Sequence, residues 1–279
     1  MKYPQLTVFN YKILYYTIRI FGLYWLYVQY TKFLAYQGRP KALYEPVFDI
    51  QKFLFPEFPS QALFLGMLLS CGFLFLVTFW KQSYILNGVL FLLTAIINLP
   101  ISANYGLHHD NHVVILAFFL SIFLLPKNLE EKDYRYVQYF YLGLLATYSL
   151  AGMGKILGTV KNVVKQTDKL LWINSDAAKL NTYDNYYRAD TLIPDWMQSL
   201  YLYENLWIVV TISGIAMQFL CFLGAFNRKL LTFFMVFLFT FHLYTMKFVL
   251  ANFETTNLFI LTVFFPYHIF SPQARTKNT

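Results

Sequence analysis

Long apolar runs separated by shorter polar segments are the dominant pattern of this 279-residue sequence. Several runs come close to the roughly 20 residues that an α-helix needs to cross a bilayer. We therefore predict an all-α integral membrane protein, a bundle of about eight transmembrane helices that forms one domain over residues 1–279. The predicted spans are residues 12–30, 62–80, 84–101, 113–125, 135–157, 204–226, 229–251 and 257–270.

Two polar segments between these spans are long enough to have structure of their own. Residues 31–60 are predicted to lie at the membrane interface, where residues 45–55 would form a short surface helix. Residues 158–203 form the longest polar segment and mix tryptophan and tyrosine with charged residues. Two interpretations fit this mixture: a belt of side chains at the lipid headgroups, or a cap over a binding site.

The charged residues support the membrane assignment and indicate its orientation. They make up only 13% of the sequence, whereas soluble domains contain about 25%. The net charge of +8 comes mostly from short loops and span ends, which argues against a nucleic-acid partner. Basic residues mark alternate boundaries, such as those at Lys81 and Arg228. The positive-inside rule then places both termini in the cytoplasm, and His112, Lys155 and the segment 158–203 on the extracytoplasmic side.

Cysteine and histidine usage gives no indication of a metal site. Cys71 and Cys221 both fall within predicted spans and are expected to be small core residues. His108, His109 and His112 are too close along the chain to converge on one ion, and no distant Cys/His pair completes a set of ligands. We therefore expect no metal.

A run of small residues that ends in a lysine is the most distinctive chemical feature. Gly152 and Ala151 stand three and four residues before Lys155, so all three share one helix face. A neighbouring helix, or a flat ligand, could lie against the backbone at this notch. Lys155 itself has two interpretations: a base held partly out of water, or an anchor whose amine reaches the lipid headgroups.

Other titratable groups fall inside or at the ends of the predicted spans, where each needs a partner or a function. Arg19 fits a structural ion pair or a side chain that reaches the headgroups. His242 fits a neutral histidine that donates to a carbonyl, or one that binds a ligand or handles protons. His112 is near a helix start, which favours an anion or a developing oxyanion. It also fits an ordinary interfacial residue.

Four short motifs occur in an order that resembles a known family. They are Ile18-Arg19-Ile20-Phe21-Gly22, Asp110-Asn111-His112, Ala151-Gly152-Met153-Gly154-Lys155 and Phe241-His242. Together they resemble the HTTM family, the membrane domain related to vitamin K-dependent gamma-carboxylase, over about residues 18–270. The carboxylase has a large extra-membrane domain after its spans, whereas this sequence stops shortly after Phe270. We therefore expect the small form without that domain, in the cytoplasmic (inner) membrane of a bacterium.

The resemblance implies a reaction and a site. Lys155 matches the base associated with oxygenation of a reduced, vitamin K-like quinone, and His112 matches a histidine thought to stabilise a developing negative charge. We expect the membrane domain to hold the quinone. The expected cofactor-binding residues are His242, Asn111, Gly152, Tyr148 and Arg19.

These expectations define a function with two alternatives. The protein would bind a quinol-type, lipid-soluble cofactor and modify a peptide or small substrate at the extracytoplasmic face, as a gamma-carboxylase-like lyase or oxygenase. Alternatively, it is a non-enzymatic membrane partner in the maturation, export or immunity of a small secreted peptide. The second alternative is a quinone-linked redox carrier. The expected partners are membrane lipids, a small secreted peptide and a separately encoded subunit.

Overall fold

The computed structural model describes residues 8–104, 110–125, 128, 130, 134–167, 169 and 171–270. Within these residues the chain is almost entirely helical, and an isolated antiparallel bridge pairs Tyr44 with Asn104. The α-helices are α1 Val8–Gln37, α2 Asp49–Leu54, α3 Gln61–Trp80, α4 Tyr84–Ser102, α5 Asp110–Leu124, α6 Tyr134–Val164, α7 Asp176–Arg188, α8 Asp195–Leu200, α9 Glu204–Leu220, α10 Arg228–Phe248 and α11 Glu254–Phe264. Short 3₁₀ helices occupy Lys41–Leu43, Cys221–Phe226 and Tyr267–Phe270.

In the part of the chain that the structure describes, five helices are long and apolar enough to cross a membrane, which makes this an integral membrane protein. They are Gln61–Trp80, Tyr84–Ser102, Arg135–Val164, Glu204–Phe226 and Arg228–Phe248. Helices also occupy the other three predicted spans. However, α5 has 15 residues and α11 has 11, fewer than the roughly 20 of a full crossing. The number of eight crossings therefore stays a prediction.

One predicted boundary, between the fifth span and the polar segment after it, was wrong in a way that matters for the site. The span predicted at residues 135–157 continues to Val164, so Lys155 lies about two and a half turns inside the helix rather than at its end. The segment predicted as the polar region 158–203 correspondingly starts within α6 and contains α7 and α8. Helix α11 ends at Phe264, ahead of Pro266, because proline cannot donate the next helical hydrogen bond.

Helix α1 supplies much of the core. One of its faces is buried through residues spaced three and four apart, including Leu14, Ile18 and Trp25. Near its end the Phe33 ring stacks on the Phe64 ring of α3, with the ring centroids 4.4 Å apart. A side chain at position 22 would clash with the Phe75 ring, so the glycine there lets α3 approach α1 closely.

Helices α6 and α9 also approach each other closely. A Cβ atom at Gly152 would lie 2.6 Å from the backbone nitrogen of Phe219 and 3.1 Å from the carbonyl oxygen of Ile215. These are backbone atoms of a packed helix and have little freedom to move. The predicted notch at Gly152 is therefore filled by α9, one of the two occupants that the sequence left open.

We predict that Gly152→Ala destabilises the protein by about 1–3 kcal/mol, because the added methyl group overpacks the contact with α9. Thermal unfolding in detergent, followed by tryptophan fluorescence, measures the effect. Gly154→Ala is the matched control on the same helix, since no atom lies within 4 Å of the place that its methyl group would take and alanine favours the helix. Equal stability of the two variants would contradict the close contact at Gly152.

Candidate functional site

Three contacts, one helical turn apart on α6, position the candidate site. Ser149 Oγ accepts a hydrogen bond from Phe222 N at 3.1 Å, and Gly152 lies against the backbone of Phe219. Lys155 follows on the same face and meets Gln218. Helices α6 and α9 run antiparallel, so successive contact residues along α6 meet residues that come progressively earlier in the chain. These three contacts form a continuous packing interface between the two helices, which we call the seam.

The Lys155 amine lies at the end of the seam that is nearest the C-terminus of α6. Its Nζ atom donates a hydrogen bond to Oε1 of the buried Gln218 at 2.9 Å. The same atom is 4.9 Å from the centroid of the Trp172 ring, a cation–π distance. Among the described residues Lys155 makes no ion pair with a carboxylate. A neutral amide and an indole therefore hold this amine, rather than a counter-charge.

Two adjoining spaces meet at Lys155. The first is a cavity of about 140 Å³ with a mixed lining that includes Thr211, Gln218 and Tyr244. The second is an almost wholly apolar groove of about 290 Å³ between α6 and α9, lined by residues such as Ile156 and Ala216. Lys155 and Trp172 line both spaces. The amine thus lies where a small, mostly apolar chamber with a few polar groups meets an apolar groove.

One polar atom of the chamber is left for a ligand. The Thr211 Oγ1 atom is buried and has no hydrogen-bond partner among the described residues. Buried polar groups are usually paired, so an orphaned hydroxyl that lines a cavity indicates a missing bonding partner.

The polar segment after α6 covers the chamber. Trp172 and three residues of α7, namely Ala177, Ala178 and Asn181, form part of its lining. Two hydrogen bonds fix the position of this segment. Asn185 donates to the Val249 carbonyl oxygen at 2.8 Å, and Thr182 shares a 2.6 Å hydrogen bond with Tyr201. Burial raises the pKa of Tyr201, opposed by that hydrogen bond. The polar segment thus supplies part of the chamber wall, while the cap and headgroup-belt interpretations both stay predictions.

His242 and Tyr148 lie together, beside the chamber. The His242 ring is buried, 5.8 Å from the Tyr148 ring and stacked at 4.9 Å on the Phe253 ring. Its neighbours on α10, among them Phe241, line the chamber. His242 and Tyr148 are therefore next to lining residues but are not themselves among the residues that line the chamber.

Arg19 belongs to a different part of the bundle. Its guanidinium donates to the carbonyl oxygen of Thr78 at 3.3 Å and of Tyr15 at 2.8 Å, and lies 3.4 Å from the centroid of the Tyr15 ring. These contacts join α1 to α3, and the small space beside Arg19 is lined by Asn87 and Ser121. The structure thus gives Arg19 a packing role and does not bring it to Lys155.

His112 is likewise not brought to Lys155. It lies at the start of α5 with an exposed side chain, while the side chain of Asn111, and His108 and His109, lie outside the described residues. Position 143 of α6 faces Leu120 of α5 and position 152 faces α9. These positions are nine residues apart, about two and a half turns, so α5 and α9 pack on opposite sides of α6. His112 is not among the residues that line the two spaces at Lys155.

Sequence reasoning missed Gln218, which accepts the hydrogen bond of the amine. Gln218 had a usable signal, because a lone amide inside the apolar run of α9 needs a partner at membrane depth. Trp172 belongs to the mixed aromatic and charged segment for which the sequence left a cap or a headgroup belt open, but its contact with Lys155 depends on how that segment folds back.

We predict that Lys155 and Gln218 are energetically coupled. In a double-mutant cycle of Lys155→Met and Gln218→Leu, the coupling is expected at about 0.5–3 kcal/mol, because each single variant leaves a buried polar group without its partner. Thermal or denaturant unfolding of the four proteins in the same detergent provides the measurement. Additive effects would show that the 2.9 Å hydrogen bond contributes nothing to stability.

No family model, curated protein or solved structure matches this chain.

Proposed function

We propose that this protein binds a reduced-quinone-type, lipid-soluble cofactor beside Lys155. With that lysine as base, it modifies a peptide or small substrate at the extracytoplasmic face. The observation that carries the proposal is the position of the Lys155 amine, held by Gln218 where a mostly apolar chamber with a few polar groups meets an apolar groove. The order of the motifs that resemble the HTTM family is a separate support.

The two spaces match the parts of such a molecule. A quinol has a flat ring with hydroxyl groups and an apolar tail. The Trp172 face suits the ring, the Lys155 amine and the orphaned Thr211 hydroxyl suit the polar groups, and the groove along Ile156 suits the tail. Together the spaces fall within the roughly 300–1,000 Å³ of ligand sites. When bound, the cofactor supplies the redox chemistry that the side chains lack.

The residues around Lys155 suit a proton acceptor. A lysine acts as a base in its neutral form, and a carboxylate partner would instead keep the amine protonated. Here the acceptor is the neutral amide of Gln218, which orients Nζ through one hydrogen bond. Trp172 and α7 form part of the chamber wall, and a site that closes over its ligand strengthens electrostatic interactions by expelling water. His112 enters this proposal only through the family resemblance, since it does not line the chamber.

The proposal includes the finer topology: eight crossings, with both termini in the cytoplasm of a bacterial cell. Contacts at the two ends of the bundle support alternating helix directions. The connections after α1 and α4 meet at the Tyr44–Asn104 bridge. At the opposite end, Gln138 near the start of α6 donates to the Ala225 carbonyl oxygen after α9. Basic residues such as Lys81 and Arg228 flank the short connections of that end.

The main prediction concerns Lys155. With a reduced 1,4-naphthohydroquinone as the probe, Lys155→Ala is expected to weaken binding about tenfold, the cost of one hydrogen bond to a charged or acidic group. Quenching of tryptophan fluorescence reports binding, and oxygen uptake reports turnover. Both Lys155→Ala and Lys155→Arg are expected to abolish uptake, because arginine cannot give up its proton.

Lys161→Ala is the control, since Lys161 is exposed in the last turn of the same helix and lines neither space. It should leave binding and uptake unchanged. Full uptake by Lys155→Arg would rule out a base and leave the anchor interpretation. Binding by the wild type without any uptake would overturn the catalytic part, in favour of a quinone-linked carrier or a non-enzymatic partner of a secreted peptide.

A further inference from the structure

A second cavity, of about 410 Å³, lies at the end of α1 and has no part in the proposed function. We call it the α1-end cavity. Its lining combines charged and aromatic side chains, of which the most relevant are Tyr36, Arg39, Lys41, Tyr44, Glu57 and Phe58. Its volume lies within the roughly 300–1,000 Å³ typical of ligand sites.

The walls of the cavity are fixed by contacts within residues 36–59 and with the end of α4. Tyr44 Oη donates to the Phe55 carbonyl oxygen at 2.8 Å, and Glu45 N donates to the Ala103 carbonyl oxygen at 2.8 Å. Burial raises the pKa of Tyr44 to about 12, so its hydroxyl keeps donating throughout the neutral range. Three prolines in the lining further restrict the backbone: Pro40, Pro56 and Pro59. The cavity is therefore preformed.

Helix α2 places the cavity at the depth of the lipid headgroups. The buried Gln51 of α2 donates from Nε2 to the Leu99 carbonyl oxygen at 3.2 Å and to Ser102 Oγ at 3.0 Å. These acceptors form the last turn of α4, a helix that spans the membrane. Helix α2 consequently lies beside the end of a membrane span, and residues 55–59 continue from it into the cavity wall.

The outer face of α2 is apolar and suited to acyl chains. Ile50 is 58% exposed and Phe53 is 83% exposed, while Asp49 and Lys52 pair across the other face at 3.7 Å. A short amphipathic helix with exposed aromatic and aliphatic residues at the end of a span lies in the lipid interface. Lipid tails can therefore reach the rim of the α1-end cavity.

The charges that line the cavity have both signs. The Arg39 guanidinium lies 4.5 Å from the centroid of the Tyr36 ring, and Lys41 lines the same space. Both are cations of the kind that bind phosphate. Glu57 supplies a carboxylate, and the rings of Tyr44 and Phe58 offer faces that attract an ammonium group. A ligand that matches this lining carries a phosphate and a primary ammonium group.

We propose that the α1-end cavity binds the phosphoethanolamine headgroup of an aminophospholipid. Arg39 and Lys41 hold the phosphate, Glu57 accepts hydrogen bonds from the ammonium group, and the acyl chains run along the apolar face of α2. The same headgroup chemistry is available from free phosphoethanolamine, and the experiment separates the two sources. This proposal is independent of Lys155 and of any catalytic activity.

The test compares retained lipids by native mass spectrometry after the delipidated, full-length protein is incubated with phosphatidylethanolamine, phosphatidylcholine or phosphatidylglycerol of equal acyl composition. The wild type is expected to prefer phosphatidylethanolamine about tenfold, the value of one charge-assisted hydrogen bond. Choline has no N–H donor and glycerol has no charge for Glu57. Glu57→Gln should remove the preference, and Lys41→Ala should weaken binding of all three lipids.

Asp49→Asn is the matched control, because Asp49 is an exposed carboxylate of α2 outside the cavity lining. It should leave the preference intact. An unchanged preference in Glu57→Gln, or equal retention of the three lipids by the wild type, would overturn the proposal. So would full competition by inorganic phosphate, which would indicate an anion site only. Competition by free phosphoethanolamine with no retention of the lipid would assign the site to the soluble compound instead.

Discussion

The close approach of α6 and α9 at Gly152 is the contact on which the candidate site depends. Because this glycine has no side chain, the α9 backbone comes near enough for the Lys155 amine to reach Oε1 of Gln218 at 2.9 Å. A larger residue would push α9 away and lengthen that hydrogen bond. The apolar groove beside Lys155 lies between the same two helices. The packing of α6 on α9 and the hydrogen bond of Lys155 therefore both depend on the absence of a side chain at Gly152.

Several buried polar side chains of the bundle pair with carbonyl oxygens of other helices. Lipid offers no hydrogen bonds, so such side chains need partners within the protein. Gln138 donates to Ala225 at 3.2 Å, and Tyr141 donates to Val263 at 3.2 Å. Arg19 does the same with Thr78. Lys155 differs from these, because its partner is a side-chain amide and it lines two cavities.

The two ligand-sized regions have different chemistry at the same end of the bundle. Lys155 lies where a mostly apolar chamber with a few polar groups meets an apolar groove, and the occupant that we propose is a lipid-soluble molecule with an acidic group. The α1-end cavity is polar and carries both signs of charge, which suits a headgroup. In each case a polar segment outside the spans supplies part of the wall: residues 171–181 in the first, and residues 38–59 in the second.

The apolar runs by themselves determined that this is a helical membrane protein, because run length and the cost of unpaired backbone in lipid leave few other structures. The run of small residues before Lys155 also drew attention to Lys155 and Gly152 as a candidate site. The tertiary structure alone decided which residues meet. It separated Arg19 and His112 from Lys155, and it brought in Trp172 from the polar segment after α6 and Gln218 from 63 residues along the chain. These contacts depend on how each helix is rotated about its axis and on the path of the connecting segments. Neither property produces a periodic pattern in the sequence.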